Sequence, residues 1–169
     1  MLCQITFTRN LKIRHMKILY LHGWKSVSGG AKPSYLAEQG HEITEPELPG
    51  DDFDEALRLA QAEFDRINPD VVVGSSRGGA LAMNLNSKDV PLVLLCPAWK
   101  RWGQIGTVKP GTQILHSRED EVIPFDETLE LLRTSGLDES ALTVTGENHR
   151  LFDPVSLAAM NAAVRRSGL

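Results

Sequence analysis

The run Gly74-Ser75-Ser76-Arg77-Gly78-Gly79 carries the strongest chemical signal in the chain. It fits the pattern G-x-S-x-G, follows the β-branched stretch Val71–Val73 and precedes a series of small residues. A serine on a sharp strand-to-helix turn sits in a strained backbone conformation, so its flanks must be glycine to avoid clashes. Gly74 and Gly78 meet that need, while Gly79 and Ala80 let the following helix lie close to the sheet. The helix N-terminus then points free amides and partial positive charge at a reacting carbonyl oxygen. The chemistry implied is nucleophilic attack by Ser76, with Ser75 the rival hydroxyl at an x position of the motif. An ordinary glycine-rich turn and a phosphate cradle are the alternatives; G-x-x-x-x-G-K-[ST], the nucleoside triphosphatase pattern, does not occur.

A serine needs a base, and the base needs a group that orients it. On a strand-turn-helix nucleophile of this kind the expected chain order is Ser, then Asp or Glu, then His. Asp120 follows the stretch Gln113–His116, and His149 follows Ala141–Thr145. Glu119 and Glu121 flank Asp120, a pattern that usually marks a solvated face, but the turn into Val122-Ile123-Pro124 tethers its backbone. Among the other histidines, His15 precedes the fold and His41 begins a strand near the sheet's edge. His116 closes a strand and reads as a hydrogen-bonded structural residue. His149 alone lies late in the chain and beyond the final strand.

Leu21-His22-Gly23-Trp24 ends the first core strand, where the second backbone donor of an oxyanion hole belongs. The expected donors are the amides of Trp24 and Arg77, with His22 bonding the loop backbone. Trp99, Trp102 and Arg150 are candidates for the substrate pocket, with packing over the sheet edge the alternative for the two tryptophans. The side chains of Arg77 and Arg150 flank the triad and suit an acidic substrate group.

These groups need a scaffold that brings strand ends together. Short apolar stretches (Lys17–Leu21, His41–Thr44, Val71–Val73, Pro91–Cys96, Gln113–His116 and Ala141–Thr145) alternate with helical periodicities. The helices are expected at Ser34–Gln39, after a cap at Asp51 or Asp52, over Gly78–Leu85, over Pro124–Thr134, and from Asp153 with Pro154 in its first position. Leu157, Met160 and Val164 supply the inner face of the last helix. The reading is a three-layer α/β/α sandwich on a mostly parallel sheet of about six strands, with active groups along its C-terminal edge. Residues 1–15 read as an extension before Met16, either a short edge strand at Gln4–Thr8 or the result of a start placed too early; residues 16–169 form the domain.

With 169 residues, 41% hydrophobic and 24% charged, the chain is one domain that needs no staple. A net charge of −4 is a poor footprint for a nucleic-acid binder. Two cysteines, Cys3 and Cys96, make neither a disulfide framework nor a four-ligand zinc site, and Cys96 reads as a small core residue. No apolar stretch approaches membrane-spanning length and no signal-peptide pattern is present, so a soluble cytoplasmic protein is expected.

Taken together, Leu21-His22-Gly23-Trp24, the Ser76 motif, Cys96-Pro97-Ala98, Asp120-Glu121-Val122-Ile123-Pro124 and His149 resemble the α/β-hydrolase superfamily, and most closely its small, lidless, esterase-like members. The resemblance runs from Met16 to the C-terminus. It implies a parallel core of six strands, a Ser-His-Asp triad of Ser76, His149 and Asp120, no cofactor and no metal. Only Pro97 to Gly111 stands where lipase-like relatives insert a cap, which implies an open site for small or flexible substrates. The expected activity is that of a carboxylesterase or thioesterase forming an acyl-enzyme, acting on a small-molecule ester or thioester. The reading from another class is an α/β-hydrolase-fold protein-interaction module with little or no turnover.

Overall fold

The computed structural model describes residues 14–26 and 28–169. The expected strand at Gln4–Thr8 lies outside them. Six strands form one parallel sheet: β1 (Lys17–Leu21), β2 (Glu42–Thr44), β3 (Val71–Ser75), β4 (Leu92–Leu95), β5 (Gln113–His116) and β6 (Leu142–Val144), in the order β2-β1-β3-β4-β5-β6. Five helices connect and cover them: α1 (Ala31–Glu38), α2 (Phe53–Ile67), α3 (Arg77–Asn84), α4 (Phe125–Ser135) and α5 (Pro154–Ser167).

Strand side chains alternate between the two faces, and so the sheet organises two cores. Leu19, Leu21, Val72, Leu94 and Ile114 pack with Ala56, Ala60 and Phe64 of α2, Leu81 of α3, and Leu131 and Leu132 of α4. Ile18, Tyr20, Val71, Val73, Val93, Leu95 and Leu115 meet Leu36 of α1 and Met160, Ala163 and Val164 of α5. The three layers follow directly from that alternation. Every central strand is apolar on both sides because helices cover both faces.

Local signals set most boundaries. Asp52 caps α2 by accepting from the Glu55 amide, and Asn68 ends it in the left-handed region at φ 49°. Asp153 caps α5 in the same way, accepting from Ser156, with Pro154 in the first turn. The first helix departs from expectation. It begins at Ala31 rather than Ser34, because Pro33 lies in the first turn, where a missing N–H has no intrahelical partner to lose. The final strand is also shorter than Ala141–Thr145, since Ala141 closes a 3-10 turn from Glu139.

The strand order reverses between β1 and β3: β2 lies to one side of β1, and every later strand to the other. Parallel sheets open a crevice at the C-terminal edge where this happens. Here the edge is exceptionally close-packed. A Cβ on Gly78 would stand 1.9 Å from the carbonyl oxygen of Leu21, at the end of β1. One on Gly74 would stand 2.4 Å from the carbonyl oxygen of Gly78. Both obstacles are backbone, so neither side chain could be accommodated without separating α3 from the sheet. Gly78→Ala is therefore expected to destabilise the fold by about 3 kcal/mol or more, or to prevent folding. Urea denaturation beside wild type measures this, and an unchanged midpoint would contradict the packing described.

Candidate active site

Ser76 sits between β3 and α3 with φ 55° and ψ −115°, a conformation that a serine adopts only under constraint from its surroundings. The constraints are visible. Its amide donates to the Leu95 carbonyl, and its own carbonyl accepts from Gly79, Ala80 and Ala98. The turn is thus fastened to β4, to α3 and to the chain beyond β4. Its side chain is left at the helix N-terminus, and Oγ makes no hydrogen bond among the described residues.

Asp120 stands on the loop after β5, and its carboxylate is fully buried despite the glutamates on either side. Oδ1 accepts from the amides of Val122 at 2.8 Å and Ile123 at 2.7 Å. Oδ2 lies 2.7 Å from His149 Nδ1 and 3.0 Å from His116 Nε2. Burial by itself would raise the pKa of this carboxyl group. The hydrogen bonds from His116, His149 and the two amides outweigh it and hold the group well below the usual carboxylate range.

His149 is fixed from three directions. Asp120 engages Nδ1, which leaves Nε2 as the free ring nitrogen. Its amide donates to Glu121 at 3.1 Å. Two residues on, Leu151 is buried in the core beside α5. Ser117 ties the β5 and β6 loops together by donating its hydroxyl to the Gly146 carbonyl.

His116 is hydrogen-bonded, as expected, and one of its partners is the same carboxylate. It is fully buried, with Nδ1 2.7 Å from the Thr128 hydroxyl and Nε2 shared between Asp120 and the Ile123 carbonyl. Cys96, His116 and Asp120 also bring three potential ligand atoms within 4.8 Å. Their protons are already committed. Both His116 nitrogens are hydrogen-bonded, and burial with the nearby Asp120 charge pushes the Cys96 thiol far up. The trio is a hydrogen-bonded cluster behind the site.

A cavity of about 520 Å³ opens over Ser76 and His149. Tyr20, Gly23, Trp24, Lys32, Glu45, Ser75, Val122, Arg150 and Phe152 are among the residues that line it. Trp24, Val122 and Phe152 are exposed, giving it an apolar rim. The amides of Trp24 and Arg77 find no acceptor among the described residues. A Cβ on Gly23 would lie 3.5 Å from the Ser76 Cβ, so the loop after β1 runs directly beside this serine. His22 bonds the loop, its Nδ1 2.9 Å from the Gly23 carbonyl oxygen.

Several expected residues stand elsewhere. Trp99 does not line the cavity. The chain leaving β4 folds back over α4, and its indole N–H donates to the Glu127 carbonyl at 3.2 Å. Trp102 does not line it either; it stacks on Phe53 at 5.9 Å and reaches the cavity only through Trp24, 6.3 Å away. The Arg77 guanidinium is turned to the Pro49 and Asp52 carbonyls, to which it donates beneath Trp102. Of the two arginines expected to flank the site, only Arg150 lines the cavity.

A second cation lines the cavity, the buried Lys32, which sequence reasoning missed. It is 8% exposed, and Nζ donates to Ser75 Oγ at 3.2 Å. Burial pushes its pKa down to about 8. The signal was the sequence Gly30-Ala31-Lys32-Pro33: a helix started at Gly30 places Lys32 in its first turn, whereas one started at Ser34 leaves it in a loop.

No protein-family model matches the sequence, and no curated protein does. Solved structures match its fold. A Xanthomonas campestris protein provisionally named a hydrolase of the α/β superfamily is 21% identical, with a TM-score of 0.63 over 89% of this chain and 96% of that one. The esterase domain of a Rhodothermus marinus protein is 15% identical, with a TM-score of 0.61 over 94% and 89%. A member of the α/β serine hydrolases without a lid, also from Xanthomonas campestris, is 14% identical, with a TM-score of 0.57 over 93% and 83%. The chain has the α/β-hydrolase fold in a minimal, lidless form. No described helix is long and apolar enough to cross a membrane.

The position of Lys32 has a consequence for stability. A lysine whose pKa falls on folding costs stability while it is charged; that cost is full below pH 8 and vanishes as pH rises towards its ordinary 10.5. Lys32→Met keeps an apolar stem without the charge. Its expected effect at pH 7 is a gain of about 1–3 kcal/mol, several degrees in melting temperature, that narrows between pH 8 and 10. Thermal denaturation across that range measures it, and a loss of stability at pH 7 would contradict the cause assigned to the shift.

Proposed function

We propose that the chain is a serine hydrolase of the carboxylesterase or thioesterase type, acting on small esters or thioesters through an acyl-enzyme. The observation that carries this reading is the arrangement over one cavity of a strained serine at a helix N-terminus and a histidine whose other nitrogen is held 2.7 Å from a buried carboxylate. The fold neighbours named as an esterase domain and a serine hydrolase support the reaction class.

In the proposed reaction His149 Nε2 takes the Ser76 hydroxyl proton as Oγ bonds to the carbonyl carbon. The oxygen becomes an anion between the Trp24 and Arg77 amides, at the positive end of α3. As the intermediate collapses, the C–O or C–S bond breaks and His149 returns the proton to the leaving alkoxide or thiolate. Water then attacks the acyl carbon and gives its proton to His149. Collapse of the second intermediate frees the carboxylic acid and restores Ser76. Asp120 remains ionised throughout, because its four donors favour the charged form. It fixes the imidazole with Nδ1–H towards the carboxylate and stabilises the imidazolium that forms. The apolar rim of Trp24, Val122 and Phe152 suits the hydrocarbon part of a small acyl group.

A fluorophosphonate probe tests the nucleophile. Folded wild type is expected to be labelled at Ser76, as mapped by mass spectrometry, and denatured protein or Ser76→Ala is not. Absence of labelling in folded protein would overturn the hydrolase and favour the interaction module. In turnover of p-nitrophenyl butyrate, Ser76→Ala should lose about three to six orders of magnitude, as in other serine triads. Asp120→Asn should lose about four orders while remaining folded, since the new amide donates to His149 Nδ1 and leaves the proton on Nε2. It should also cost about 1–2 kcal/mol, because the same amide meets the His116 N–H.

A further inference from the structure

We propose that Lys32 is a recognition group for a carboxylate on the substrate, so that the preferred substrates are half-esters or half-thioesters of dicarboxylic acids. This rests on the reading of Ser76 as the nucleophile. The acyl carbonyl would lie at Ser76 and the distal carboxylate at Lys32.

The side chain is buried with its charge inside. A lysine retained for its hydrocarbon stem would extend its ammonium to water, but this one lines the cavity at 8% exposure. Its Nζ donates to Ser75 Oγ, one residue before the nucleophile, and faces the Phe152 ring at 4.8 Å. No carboxylate lies within 4.0 Å of it among the described residues. Three donors on an ammonium and one protein acceptor leave two for a ligand. A buried charge in this state is costly until an anion joins it.

The surroundings favour the same ligand. Gly30 and Ala31 bring the N-terminus of α1 to the cavity wall, with no side-chain cap and no acidic residue in the first turn. Its free amides and dipole add positive potential. Arg150 adds a second cation at the exposed rim. The Cys96 thiol is held protonated, and the Tyr20 phenol is pushed well above its ordinary value by burial, so neither competes as an anion. Glu45 is the one carboxylate among the described residues that line the cavity. Its Oε2 accepts from the Gly29 amide and its Oε1 is buried without a partner, but neither oxygen lies within 4.0 Å of Lys32 Nζ.

The test compares monoethyl succinate, glutarate and adipate with the ethyl esters of butyric, valeric and caproic acids, in which a methyl group replaces the carboxylate. Turnover is measured on wild type, Lys32→Met and Lys32→Arg at pH 7. Dissociation constants are measured by NMR titration on Ser76→Ala with and without Lys32→Met, which reads recognition without chemistry. Wild type is expected to favour at least one half-ester tenfold or more, the scale of a charge-assisted hydrogen bond. Lys32→Met should reduce that preference to within twofold, and Lys32→Arg should retain most of it. The preference should also weaken as pH rises through about 8, where Lys32 loses its proton. Equal handling of charged and neutral esters at every chain length, or a preference that survives Lys32→Met, would overturn the proposal. Lys32-dependent binding without turnover of any ester would leave the carboxylate site standing and overturn the hydrolase.

Discussion

The carbonyl oxygen of Leu21 occupies the space where any side chain on Gly78 would have to be. That contact seats α3 against the end of β1, and the site depends on it. Because the helix begins so close to the sheet, the chain between β3 and α3 has room only for a turn at positive φ, with Ser76 at its apex. The same approach brings the loop after β1 beside the serine. Strain at Ser76 is sustained by hydrogen bonds to β4, α3 and Ala98 and by the burial of the strands beneath it.

A second constraint operates across the sheet. Asp120 is a buried anion, and buried anions persist only where donors surround them. Two backbone amides and two histidines do so here. His116 extends the network through Thr128 into α4, which links the orientation of His149 to the packing of a helix remote from the cavity. The acidic neighbours of Asp120 have a different environment. Glu121 is exposed and receives the His149 amide, so three consecutive acidic residues divide between solvent and interior according to the turn that carries them.

The cavity combines an apolar rim with a charged floor. Trp24, Val122 and Phe152 keep large hydrophobic surfaces in contact with water, while Lys32, which lines the same cavity, is buried. This inverts the usual distribution, in which apolar groups are buried and ammonium groups solvated. Such an inversion costs stability and is what a ligand with a hydrocarbon body and a polar end would relieve. Two tryptophans have structural tasks outside the cavity: Trp99 fastens the segment after β4 to α4, and Trp102 covers the Arg77 guanidinium.

How much was legible in the sequence follows from the range of each interaction. The limits of β1 and β5, the caps at Asp52 and Asp153, and the elbow around Ser76 arise from residues within a few positions of one another, and their patterns can be read along the chain. That Ser76, Asp120 and His149 all follow strand ends was equally readable, because parallel strands place their following loops on one edge. Tertiary structure alone decided that His116 shares the Asp120 carboxylate, that Arg77 turns away from the site and Lys32 towards it, and that two tryptophans serve packing. The lysine, the arginine and the tryptophans depend on partners 25 to 49 residues away, brought close by the sheet order, whereas His116 reaches Asp120, four positions on, through the path of the turn between them. The direction of a long side chain is set by which neighbour offers an acceptor or an apolar surface, and a linear pattern does not encode that neighbour.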